Sequence, residues 1–246
     1  MAKSKNSKQK NNLPNQQQDR NESLNYNFPS TFSLKNEKQK QLINKIYENQ
    51  IVFVSGVAGC GKTFIAIKAA LEILKQKEKF GLSKILLTKP ILEAGNEGNS
   101  ALQIGALKGF LDEKISVYMH SFYANFHKLI GRFSTQKLTE NNIIKASPLP
   151  YLRGETFDNS VVILDEGQNT TVSGMKLFLS RTGNSKIIVL GDCDQTDLKF
   201  RKGEKSGLED ALERFQGIKG VDFITFDEDD IVRSQILIDL MKRYKK

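Results

Sequence analysis

The stretch that most constrains this chain is Gly56-Val57-Ala58-Gly59-Cys60-Gly61-Lys62-Thr63. Before it stands Ile51-Val52-Phe53-Val54-Ser55, an apolar, β-rich run that reads as a buried strand. After it, from Phe64 to Leu74, an apolar stripe of Ala66, Ala69, Ala70, Ile73 and Leu74 reads as a helix. A strand that turns through glycines straight into a helix has a specific chemical use. The glycines let the backbone curl with its N–H groups pointing inward, and the helix adds the positive end of its dipole. The pattern G-x-x-x-x-G-K-[ST] is the phosphate-binding loop. Lys62 is placed to reach β- and γ-phosphates, and the Thr63 hydroxyl to enter a Mg²⁺ shell. The expected contacts run from Gly56 through Val57, Ala58, Gly59, Cys60, Gly61, Lys62 and Thr63 to Phe64. A bulky adduct on the Cys60 thiol is expected to obstruct the phosphates.

A second signal lies downstream. Val161-Val162-Ile163-Leu164-Asp165-Glu166 is a buried strand ending in two acids. In a chain with a phosphate loop, Asp165 is expected to hold Mg²⁺, usually through water, and Glu166 to polarise an attacking water. Lys186-Ile187-Ile188-Val189-Leu190 is a further strand, followed by Gly191-Asp192-Cys193-Asp194-Gln195. Gln195 is a candidate for contact with the γ-phosphate or the lytic water.

Strand runs also fall at 84–88, 143–146 and 221–226, with helical stretches between them. That alternation predicts an α/β fold, a doubly wound, mostly parallel sheet with helices on both faces. Glu93, Gly95 and Gly98 are expected in a loop at the carboxyl edge, where such sheets bind ligands. An amphipathic helix is expected from Asp229 to Tyr244.

The chain has 246 residues, which suits one domain over 34–246 with a helical insertion at about 100–142. Residues 1–33 read as a basic N-terminal tail, too poor in apolar residues to offset ordering and so disordered. The tail either adds nucleic-acid affinity or serves as a solubiliser. No apolar run is long enough for a membrane span, and no secretory h-region opens the chain. Cys60 and Cys193 are its two cysteines, too few for a disulfide framework, which fits a reducing cytoplasm. A net charge of +9 favours polyanionic partners, nucleic acid above all. Around residues 114–132, Tyr118, Phe122, Tyr123 and Phe126 interleave with Lys114, His120, His127, Lys128 and Arg132. Such mixing suits base stacking, and aromatics at helical spacing equally suit a core. Gln39, just upstream of the phosphate-loop strand, offers an acceptor and a donor to an adenine edge.

From Asn36 to Tyr244 the chain resembles the PhoH family of P-loop ATPases. The resemblance rests on the phosphate loop, on Pro148–Gly154, on Leu164–Thr171, on Met175–Arg181, on Gly191-Asp192 with Gln195 and Asp197-Leu198, on Ser206-Gly207-Leu208 and on Asp230–Arg233. It implies a RecA-like P-loop NTPase fold akin to the ATPase core of superfamily 1 helicases. It also implies Mg²⁺-dependent ATP binding and hydrolysis and a link to RNA or DNA metabolism. Short stand-alone members of that family often come from phages, which would place the protein in the host cytoplasm. By position, Gln39 matches the adenine-reading Gln, Arg153 sits in the family's Pro-Leu-x-Tyr-[Met/Leu]-Arg-Gly loop, and Arg233 matches the Arg of Asp-x-Val-Arg. The chain departs from the pattern at Lys89, Lys108, Gly167 and Ser234.

A chain with length for one such domain is expected to complete its site between subunits, a six-membered ring being the family's usual count. Arg181 and Arg153 are the candidates to act in trans, and Arg233 within its own subunit. The rivals are an ATP-gated nucleic-acid scaffold with little turnover and a P-loop kinase. A GTPase switch lacks its guanine reader, because Thr88-Lys89 runs into Pro90-Ile91.

Overall fold

The computed structural model describes residues 27–28, 32–91, 111–152, 154–198, 203–232, 236 and 243. The tail over 1–25, Glu93, Gly95, Gly98, Lys108, Arg153, Arg233 and Ser234 lie outside the described residues.

The run before the phosphate loop is strand β1 (Ile51–Gly56), preceded by helix α1 (Glu37–Glu48) and followed by α2 (Lys62–Lys75). A short α3 (Lys77–Phe80) leads into β2 (Lys84–Thr88). The chain then continues through α4 (Leu111–Glu140), β3 (Ile144–Ala146), β4 (Ser160–Leu164), α5 (Val172–Leu179), β5 (Lys186–Gly191), α6 (Gly207–Arg214) and β6 (Val221–Phe226). The six strands lie in the order β3-β2-β4-β5-β1-β6, and every pairing is parallel. The sheet is therefore the α/β, RecA-like arrangement in which one strand, β5, separates the phosphate-loop strand β1 from the acidic strand β4.

Alternation along the strands builds two cores. Val52, Val54, Ile85, Leu87, Val161, Ile163, Ile188 and Leu190 face α1, α2 and α4. Phe53, Leu86, Val162, Leu164, Ile187 and Val189 face α5 and α6, represented by Met175, Phe178, Leu208 and Ala211. Strands buried on both faces read as continuous apolar runs, which is why they stand out in the sequence. Phe53 stacks between Phe215 and Phe223, with centroids 5.8 and 5.6 Å away.

Caps fix where the helices begin. The Asn36 side chain accepts from the Gln39 N–H at 2.9 Å and donates to the Asp230 carbonyl at 3.2 Å. Thr171 and Ser206 cap α5 and α6 through the N–H groups of Gly174 and Glu209, each at 3.1 Å. Gly207 must be glycine, since a Cβ there would stand 2.5 Å from the Thr170 hydroxyl and 2.8 Å from Met175 Cβ.

One expectation of the sequence is corrected. Asp229 does not begin the last helix: Glu228–Asp230 form a 3-10 turn closed by a reciprocal capping box between Asp227 and Asp230, and Ile231 and Val232 follow without helical structure. The polar Asp side chains bond the local backbone there and compete with the helix. In α4, Gly131 breaks the helical path at φ 78°, a conformation glycine adopts without steric cost.

Candidate nucleotide site

The switch in strand order at β1 opens a crevice at the carboxyl edge, and the phosphate loop fills its floor. Gly56, Gly59 and Gly61 all take positive φ, at 139°, 96° and 84°. At Gly56 a Cβ would stand 2.2 Å from the Phe226 carbonyl oxygen, so β6 packs directly on the loop's first residue. Lys62 Nζ donates to the carbonyls of Gly56 at 2.5 Å and Val57 at 2.9 Å. The ammonium thus lies curled against the loop, on acceptors that a phosphate oxygen would replace.

Across the loop, Thr63 Oγ1 donates to Asp165 Oδ2 at 3.0 Å. Burial pushes the Asp165 carboxyl up to about 6; the neighbouring Glu166 carboxylate adds to this, while the Thr63 hydroxyl and the Glu166 N–H oppose it. A divalent cation offsets such crowded negative charge, and a hydroxyl beside a carboxylate is the donor set Mg²⁺ takes. The residues present fit that group. Lys89, at the end of β2, feels both acids, yet burial outweighs them and lowers its pKa.

Glu166 sits at φ 57° and ψ 38°, left-handed geometry on a residue other than glycine, of the kind that marks functional turns. Its carboxylate is exposed to the cleft and accepts from Gln168 Nε2 at 2.7 Å. Gln168 is itself buried. Its Nε2 also donates to the Gln195 carbonyl at 3.2 Å, and its Oε1 accepts from the Asp192 N–H at 3.0 Å. One side chain therefore joins the loops after β4 and β5. Asn169 and Asp197 add a reciprocal pair, at 3.1 and 2.8 Å.

These parts enclose a cleft of about 670 Å³. Asp165, Glu166, Gly191, Asp192 and Gln195 line its acidic end. Phe32, Lys35, Gln39, Phe64 and Val232 line an aromatic end, with the loop between. Gln39 is nearly buried; its Nε2 donates to the Cys60 carbonyl at 3.0 Å and its Oε1 accepts from the Lys35 N–H at 2.8 Å. One end of the amide braces the phosphate loop and the other the segment ahead of α1, leaving one N–H and one lone pair for a ligand.

Of the expected loop contacts, Ala58, Gly59, Gly61, Lys62, Thr63 and Phe64 line the cleft. Gly56 and Val57 turn carbonyls toward Lys62, and the Cys60 sulfur lies beneath the loop, 3.9 Å from Lys62 Nζ. The Cys60 side chain is fully buried and its thiol donates to the Val57 carbonyl at 2.7 Å, so the thiol packs into the core from under the loop and a reagent reaches it only by opening the loop. Burial also pushes that thiol up.

Arg181 follows α5, and its backbone carbonyl accepts from Phe157, ahead of the amino end of β4 and so away from the carboxyl edge that holds the phosphate loop. Its guanidinium donates to the Leu152 carbonyl of its own chain. In α4, Phe122 and Phe126 are fully buried and serve the core, whereas His120 and Lys128 remain exposed. Phe32, Lys35 and Asn125 line the cleft without a motif to announce them, joined by Val232 of the Asp-x-Val-Arg motif and Lys128 of the basic–aromatic stretch; Lys128 lies one turn from Asn125, a helical spacing that marks a shared face. No helix of the described residues is long and apolar enough to cross a membrane.

Among curated relatives, the chain is 41% identical over 209 residues to the PhoH-like protein of Bacillus subtilis (strain 168), covering 85% of this chain and 62% of that one. It is 38% identical over 205 residues to Protein PhoH of Escherichia coli (strain K12), covering 82% of this chain and 55% of that one. The chain thus spans a little over half the length of these relatives. Among solved structures, the UvsW helicase from bacteriophage T4 is similar at 11% identity and a TM-score of 0.47, over 85% of this chain and 67% of that one. The phosphate loop, the acidic strand end and the Gln168-linked loops all fall within residues 31–245, the span that matches the PhoH-like protein family, and the chain belongs to that family.

Proposed function

We propose that this cleft binds Mg-ATP and hydrolyses it, and that the protein works on or with single-stranded RNA or DNA. The observation that carries the nucleotide part is the Thr63–Asp165 hydrogen bond, which brings residues 102 apart in sequence to one point beside the phosphate loop. When bound, Mg²⁺ supplies neutralisation of charge on the β- and γ-phosphates. Lys62 exchanges its loop carbonyls for phosphate oxygens. Glu166, held by Gln168, takes a proton from the attacking water as the new bond to the γ-phosphorus forms. The bond to ADP breaks, and the cleft releases ADP and phosphate. Gln195 is near enough to orient that water, since the carbonyl of the same residue is bonded to the Gln168 amide that holds Glu166.

The nucleic-acid part draws support from the net charge of +9 and from the cations that α4 keeps at the surface. A further positive charge on the γ-phosphate comes, in this reading, from an arginine of a neighbouring subunit in a closed ring. The test is ATP turnover with and without single-stranded RNA and DNA, read beside solution mass. Turnover raised by either polymer is the expected result. An absence of turnover under all three conditions overturns the hydrolytic reading. Mixing subunits that carry Glu166→Gln with subunits that carry Arg153→Ala should restore activity above either alone if Arg153 acts in trans.

A further inference from the structure

The aromatic end of the cleft is not built by the sheet or the phosphate loop alone. Phe32 comes from ahead of α1, and its ring centroid lies 5.8 Å from that of Phe64, the second cleft-lining ring. A lysine outside every motif holds it there. Lys68 lies one turn after Phe64 on α2 and is only 8% exposed. Its Nζ lies 5.0 Å from the Phe32 centroid and 5.2 Å from the Phe28 centroid.

A buried ammonium must be paired. Lys68 is paired with Glu72 one turn on, through Oε1. The other oxygen, Glu72 Oε2, accepts from the Tyr47 hydroxyl of α1 at 2.6 Å. Two helices and the two rings ahead of α1 therefore meet at one cation. A hydrophobe at position 68 would fill the volume, but it would lack the attraction of a cation for a ring face, which grows when both are desolvated.

We propose that Lys68 is a positioning residue for base recognition: with Glu72 and Tyr47 it holds Phe32 as the wall on which the base of a nucleoside triphosphate stacks. The proposal rests on reading the cleft as a nucleotide site. Stacking reads the face of a base and not its edge, so Lys68 acts on ATP and GTP alike.

The test is calorimetric binding of Mg-ATP and of Mg-tripolyphosphate, which has the phosphates and no base. Lys68→Met and Phe32→Ala are each expected to weaken Mg-ATP roughly tenfold and to leave tripolyphosphate unchanged. Lys68→Arg, which keeps a cation over the rings, is expected to stay within about threefold of the parent. The chain has no tryptophan, so Phe32→Trp introduces a single indole at the wall, excited to the red of tyrosine absorption. Adding Lys68→Met to it should shift that emission to the red without any nucleotide present.

Equal losses for ATP and tripolyphosphate, an unaltered ATP affinity in Lys68→Met, or an emission that does not move would each overturn the role of Lys68. If Lys68→Met does not fold, Lys68→Gln takes its place in both readouts with the same expected losses, and an unaltered ATP affinity in Phe32→Ala overturns the stacking wall itself. A parent that binds neither ligand overturns the nucleotide-site reading, and this proposal with it.

Discussion

The Gln168 side-chain amide donates to the Glu166 carboxylate at 2.7 Å while its own oxygen accepts from the Asp192 N–H at 3.0 Å. The buried glutamine therefore sets both the aim of the acid and the position of the loop after β5. Glu166→Gln is expected to keep Mg-ATP binding and to cut turnover by on the order of 10²–10⁴. Gln168→Leu should also cut turnover and, by stranding the Asp192 N–H, lower stability by about 1–3 kcal/mol. Steady-state kinetics and thermal melts check both. Full turnover in Glu166→Gln removes Glu166 from the mechanism.

Asp165 predicts a pH dependence. Burial raises its carboxyl from 3.8 to about 6, so between those values the folded protein holds a proton that the unfolded chain has released. Stability without nucleotide or metal should accordingly fall, from this group, as pH rises through that window. Asp165→Asn, which cannot ionise, should flatten the slope of melting temperature against pH there. Identical slopes for variant and parent would show that the carboxyl is not perturbed.

Cys60 should resist alkylation. Its side chain is fully buried, and burial keeps the thiol protonated at neutral pH. Labelling of the native protein by iodoacetamide should therefore fall mainly on the half-buried Cys193 and spare Cys60 with or without Mg-ATP. Peptide mapping reads the outcome. Rapid labelling of Cys60 that Mg-ATP suppresses would return the thiol to the phosphate side of the loop.

Lys128 offers the cleft a cation from α4 in its own chain. Lys128→Ala is expected to weaken Mg-ATP binding roughly tenfold, the loss of one hydrogen bond to a charged group. The deficit should shrink as salt rises, because Lys128 is exposed and screened. An unchanged affinity at low salt would leave Lys128 as a surface lysine that borders the cleft without touching its ligand.

Much of this molecule is legible in one dimension. The inner strands report themselves because they are buried on both faces, and the Gly56–Thr63 loop because its positive φ angles demand glycine. Asp165 and Glu166 are legible for a similar reason: they end an apolar run, where a strand must leave the sheet. What tertiary structure decided are the residues whose role comes from what packs against them. Cys60 and Thr63 stand three apart in one loop, yet the thiol turns into the core and the hydroxyl meets Asp165. Phe122 and Lys128 share α4, yet one is core and the other lines the cleft. Lys68 reads as one more lysine in a helix until Phe28, Phe32 and Glu72 surround it. Local sequence carries backbone conformation and the period of burial. Which side of a loop or helix faces a ligand depends on contacts between segments far apart in the chain, and no local pattern encodes those.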